Sequence, residues 1–138
     1  MVKTIGQANK MTRSDYKGVP TAAELQLLRI LWGVEPATVR EVHEKINEHN
    51  KVGYTTVLKM LQIMHEKGLV ARDESSRAHI YKAIYSEEQT QSSMVKDMLN
   101  KAFDGSKSNL VMRALGKSPS AQELNEIRAL LDSLDKNK

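Results

Sequence analysis

Apolar residues recur at three- and four-residue intervals over most of this chain, the period of helices that each bury one face. The contrast is sharpest over residues 53–68, Gly-Tyr-Thr-Thr-Val-Leu-Lys-Met-Leu-Gln-Ile-Met-His-Glu-Lys-Gly. Wound at about 3.6 residues per turn, this stretch puts Val57, Met60, Leu61 and Met64 on one side. Thr55, Lys59, Gln62 and Glu66 fall on the other. Gly68 stops the helix, because glycine accepts the left-handed backbone that helix ends require. The first turn, Tyr54-Thr55-Thr56, is a poor helix interior. It is well suited to donating short hydrogen bonds from a helix N-terminus to phosphates or base edges.

The flanking pattern predicts supports for this helix. Pro20-Thr21 opens a helix to about Trp32, with Thr21 and Glu24 as a capping box. Leu25, Leu28, Leu31 and Trp32 form its buried stripe and Gly33 ends it. Trp32 reads as core filler rather than a ligand platform. Thr38 with Glu41 repeats the box and opens a helix to about Glu48 that buries Val39, Val42 and Ile46. Arg40 lies in its first turn, where a cation opposes the helix dipole. A nearby phosphate would offset that penalty, and a solvated surface arginine is the plainer alternative. Residues 49–53 make the turn, with Gly53 as N-cap. After Gly68 the period changes, and residues 69–73 and 78–84 read as two strands around Glu74-Ser75-Ser76-Arg77. Arg77 at such a tip suits a phosphate clamp.

Ser86 with Gln89 caps a long helix to about Phe103, with Met94, Val95, Met98, Leu99, Ala102 and Phe103 on its stripe. A short helix carries Leu110, Val111, Ala114 and Leu115. Ser120 with Glu123 caps the last helix, where Leu124, Ile127, Leu131 and Leu134 repeat like a coiled-coil seam and Leu130 widens it. Three short amphipathic helices bury too little surface to stand alone. A symmetric homodimer is the commonest solution. The expected architecture is therefore mainly α with a small β hairpin. It comprises a flexible basic arm over 1–19, a winged helix-turn-helix DNA-binding domain over 20–84 and a helical dimerisation domain over 85–138. The arm reads either as an electrostatic tether to DNA or as an extension with no task.

Composition narrows the function. Hydrophobic residues make up 40% of the 138 and aromatics only 4%, which predicts an aliphatic, methionine-rich core filled by Met60, Met64, Met94, Met98 and Met112. A net charge of +4 and a pI near 9.3 favour a polyanionic partner. The absence of cysteine removes disulfides, thiolate metal sites and cysteine nucleophiles. His43, His49, His65 and His79 lack the spacing of a helical metal site and read as surface or hairpin residues. Neither a phosphate loop nor a nucleophile elbow occurs, so no enzyme and no cofactor are expected. No long apolar run and no apolar leader are found, which makes the cytoplasm the expected compartment and excludes a membrane span.

The strings Y-T-T-V-L-x-M-L-x-x-M-x-x-K-G-L-V (54–70) and R-A-H-I-Y (77–81) lie in the order helix, helix, helix, hairpin, long helix. That combination, over about residues 20–135, resembles the penicillinase-repressor (BlaI/MecI/CopY) family of bacterial winged-helix transcriptional repressors. The resemblance implies a homodimer that binds a palindromic double-stranded DNA operator. It puts Gly53, Tyr54, Thr55, Thr56 and Lys59 against DNA, with Arg77 at the wing. It puts Met94, Met98, Leu99, Phe103, Leu110, Val111, Leu124, Ile127, Leu131 and Leu134 in the dimer interface. The copper-responsive branch carries a C-terminal cysteine pair that this chain lacks, so metal sensing of that kind is not implied. A sensor protease is a partner of the antibiotic-responsive branch, although Arg113-Ala114 stands where that branch is cut at Asn-Phe. The rival function is a winged-helix module that binds another protein. Binding indifferent to salt and to operator sequence would favour it.

Overall fold

The computed structural model describes residues 19–136. The basic arm expected over 1–19 lies outside them except for Val19. Helix α1 (Ala22–Val34) starts at the expected box: the Thr21 hydroxyl accepts from the Glu24 N–H at 3.1 Å, and the Glu24 carboxylate accepts from the Thr21 N–H at 2.9 Å. Its buried positions are Glu24, Leu27, Leu28 and Leu31. Leu25 is only half-buried, and the helix passes Gly33 to a cap at Glu35. The apolar run Leu25-Leu27-Leu28 left the phase of the stripe ambiguous. Glu24 is an acid on the inner face, which a hydrophobicity pattern scores as outward.

Strand β1 (Ala37–Thr38) was not expected. Two residues are too few to show alternation, and Thr38 serves at once as strand end and as N-cap of α2 (Val39–Ile46). The α2 box is present, with Thr38 and Glu41 bonded both ways at 2.8 and 3.2 Å. The connection to α3 (Tyr54–Glu66) is organised by Asn47, whose amide donates to the carbonyls of His43 and Val52 and accepts from the Val52 N–H. After α3, Gly68 has φ of 81°. The Leu69 N–H donates to Met64 O and the Gly68 N–H to His65 O, a Schellman closure with Leu69 and Met64 both buried. Strands β2 (Val70–Asp73) and β3 (Ile80–Ala83) follow as an antiparallel pair, Val70 opposite Ala83 and Asp73 opposite Ile80. β1 adds to the other edge of β3, so the expected hairpin is a three-stranded sheet in the order β1-β3-β2.

One core joins these elements. Leu27, Leu28 and Leu31 of α1, Val42 of α2, Val57, Leu61 and Met64 of α3, and Tyr81 of β3 are all but fully buried. Each such side chain contributes about 1.5–3 kcal/mol by leaving water. Met64 is the one fully buried methionine among the described residues, with Met60 packed half-buried against the core, and Tyr81 is the core's largest side chain. Trp32 packs on its margin and donates its indole N–H to Tyr85 O at 2.9 Å, as a filler with its polar tip satisfied.

Glu24 has a second partner that the cap pattern gave no hint of. Its buried carboxylate accepts from Lys67 Nζ at 2.9 and 2.8 Å and ties the start of α1 to the end of α3. Burial alone would push this carboxyl up. The bonds from Lys67 and Thr21, with the Lys67 charge, more than offset it and hold the group below its ordinary 4.5. A depressed carboxylate contributes stability that is present above about pH 4.5 and lost as pH falls through the folded value. Lys67→Met is expected to cost about 1–2 kcal/mol at neutral pH, less than a fully buried pair because Lys67 is 44% exposed. It should also flatten the acid limb of stability. Urea melts between pH 3 and 7 would read both, and an unchanged acid limb would mean that the pair does not set it.

The described residues divide into two compact units at Val95–Lys96, inside α4 (Glu87–Ala102). Ser86 and Gln89 make the expected cap of α4. The second unit holds the end of α4, α5 (Lys107–Leu115, capped by Ser106) and α6 (Ala121–Lys136, with Ser120 and Glu123 bonded both ways). Neither α5 nor α6 has a buried residue within the chain. Met98, Val111, Met112, Leu130, Leu131 and Leu134 stand exposed. Met94, Leu99, Phe103, Leu110, Leu124 and Ile127 are half-buried. Met98 and Met112 are thus on the surface of the single chain.

Candidate nucleic-acid interface

Helix α3 is held from behind and open in front. Val57, Leu61 and Met64 fix one face in the core, the Lys67–Glu24 pair anchors its end, and Thr55, Thr56, Lys59, Gln62 and Glu66 are exposed on the other. Its N-terminus differs from those of the other described helices. Gly53 supplies no side-chain cap, and the first turn, like that of Lys107–Leu115, carries no acid. The backbone at Gly53 is ordinary, φ −68°, and a Cβ there would meet nothing nearer than Thr56 Oγ1 at 4.0 Å. Neither strain nor crowding requires a glycine. Its effect is to leave the positive end of the helix dipole uncapped at the surface.

Three of the expected contact residues share one cleft. Arg40 from α2, Tyr54 from α3 and Arg77 from the hairpin connection line an open cleft of about 890 Å³ with Thr38, Val39, His43, Glu44, Leu58, Ala78, His79 and Tyr81. Gly53, Thr55, Thr56 and Lys59 are not among its lining residues and are exposed on α3 beside it. Tyr54 is 48% exposed, and the His43 ring meets it edge-on, centroids 5.6 Å apart at 75°. That contact sets the first turn of α3 against α2. Arg72 pairs with Glu74 at the base of the hairpin tip, and the Ser75 N–H donates to Asp73 Oδ1, so the tip has internal bonds. Arg77 extends from this braced segment into the cleft.

Sequence reading missed the two histidines of the cleft. His43 was legible in part, since it lies one turn after Arg40 on α2, but its tertiary neighbour Tyr54 was not. His79 stands in a strand-flanking position that periodicity could not orient. Among the described residues, no group of three His, Asp or Glu side chains could hold a metal ion. No described helix is long and apolar enough to cross a membrane.

The Transcriptional regulator BlaI of Mycobacterium tuberculosis is 30% identical over 106 residues, spanning 76% of this chain and 77% of that one. The Penicillinase repressor of Staphylococcus aureus is 24% identical over 115 residues, 83% of this chain and 91% of that one. Among solved structures, a MarR family protein from Bacillus stearothermophilus aligns over 99% of this chain and 85% of its own with a TM-score of 0.48 and 17% identity. The family profile described as Penicillinase repressor matches residues 20–133, which takes in the winged sheet, the exposed face of α3 and the helices that follow. With that span and a relative at 30% identity, the chain belongs to the penicillinase repressor family, whose members are transcriptional repressors and not enzymes.

Proposed function

We propose that the chain represses transcription as a homodimer that occupies a palindromic operator and blocks the promoter. In this reading 20–84 is the DNA-binding domain and 85–138 the dimerisation domain. The observation that carries it is the outward polar face of α3, an uncapped helix start with Thr55, Thr56 and Lys59 in solvent, beside a cleft flanked by Arg40 and Arg77. An exposed polar helix face beside two arginines fits a major groove with phosphates on either side. Thr55, Thr56 and Lys59 then reach base edges or phosphates, and Arg40 and Arg77 take phosphates. Paired α3 helices would enter successive major grooves about 34–36 Å apart. The apolar surfaces of α4, α5 and α6 support the dimer, since isolated amphipathic helices seldom leave such faces in water.

Binding of this kind falls with salt by about 0.9 in log K per neutralised phosphate for each unit of log salt. Lys59→Ala is expected to weaken operator binding about tenfold and to leave the melting temperature within a degree or two, because Lys59 is exposed and off the core face. Gel shifts beside thermal melts check this, and an unchanged shift removes Lys59 from the interface. Footprinting over inverted repeats upstream of the chain's own gene tests the whole reading. Salt-insensitive binding with no protected repeat would favour the protein-interaction module instead.

A further inference from the structure

The DNA-facing cleft holds more ionisable groups than a set of phosphate contacts needs. His43 from α2 and His79 from the hairpin line it with Arg40 and Arg77, and Glu44 is the one carboxylate among its lining residues. With neutral imidazoles the lining carries two cations against one anion, a net charge of one. With both imidazoles charged the net is three. A polyanion laid over the cleft therefore meets a much stronger field once protons are taken up.

We propose that His43 and His79 are further DNA-contacting residues of this family member, and that operator binding takes up protons on them. The assignment rests on the DNA-binding reading given above. Histidine ordinarily changes charge near pH 6.5, and an adjacent phosphate favours the charged form. The groups that face each ring agree with this. His43 has Arg40 and Glu44 on its own helix and the Tyr54 ring against it from α3. His79 has Arg77 two residues away on the hairpin, and His65 of α3 is close enough to interact with it electrostatically. His65 itself is held below its ordinary value, first by burial and then by Arg72. A bound phosphate beside an imidazole favours its charged form, which couples the two events. Affinity should rise as pH falls from 8 toward 6.5.

The experiment is anisotropy of a labelled duplex carrying the region upstream of the chain's own gene, with a scrambled duplex of equal length, at fixed salt from pH 5.5 to 8.5. The wild type is expected to gain about tenfold in affinity per pH unit between 8 and 6.5. His43→Gln and His79→Gln each reduce that slope, and the double variant loses more than half of it. His49→Gln, exposed and outside the cleft, retains the full slope. Circular dichroism at both ends of the range confirms the folds, and His79→Gln alone, in the hairpin, suffices if the double variant unfolds. Specific binding that is flat with pH, or an undiminished slope in a folded His79→Gln or double variant, overturns the assignment. Failure to bind either duplex at any pH overturns instead the DNA-binding reading beneath it.

Discussion

Leu131→Asp is expected to give a folded monomer. Leu131 is 59% exposed in the single chain, so a carboxylate there displaces nothing within the protomer and costs its own stability little. Across a symmetric interface two such charges would be desolvated without partners, which weakens association by about 3 kcal/mol or more, roughly a hundredfold in dissociation constant. Operator affinity falls with it, because one half-site alone is then engaged. Ile127 is the less clean choice. It is half-buried between α5 and α6 with Leu110, Val111, Ala114 and Leu115, so a charge there would damage the protomer as well. Sedimentation beside a circular dichroism melt decides the matter. A Leu131→Asp chain that still sediments as a dimer puts the interface elsewhere.

Gly53→Asp is expected to separate stability from binding in opposite directions. An aspartate at the N-cap of α3 would accept from the free N–H groups of the first turn and complement the dipole, which stabilises by a few tenths of a kcal/mol relative to glycine. There is room for it, since a Cβ at Gly53 meets only Thr56 Oγ1 at 4.0 Å. The same carboxylate faces the phosphates that the open helix end would otherwise receive. Operator affinity should therefore drop by about tenfold to a hundredfold, or about 1.4–2.8 kcal/mol. A melting temperature at or above wild type with a lost gel shift is the expected pair of results. Retained binding would mean that the start of α3 points away from the duplex.

Much of this was legible because local chemistry and tertiary structure agree. The boxes at Thr21, Thr38, Ser86 and Ser120 are written in three-residue spacings and need no tertiary partner to be recognised. The two faces of α3 follow from its period. What was illegible depended on contacts distant in sequence. β1 exists because Ala37 and Thr38 lie opposite Tyr81 and Ile80, a pairing that two residues cannot announce. Glu24 is buried because Lys67 reaches it from across the core. The cleft draws on α2, α3 and the hairpin, so Arg40, Tyr54 and Arg77 could be nominated singly while their assembly with His43 and His79 could not. Met64 and Met112 have the same hydrophobicity and opposite surroundings in the single chain.

The closure at Gly68 has one more consequence, for where this chain tolerates changes in length. α3 ends at Glu66 and β2 begins at Val70, and the backbone bonds from Gly68 and Leu69 back into α3 use up the interval between them. An inserted residue there would break those bonds and shift every side chain of β2 to the opposite face of the sheet. Between Asp73 and Ile80 no ladder is at stake. This chain should accordingly accept insertions or deletions in its hairpin only at the far end, while the junction with the helix stays one fixed joint.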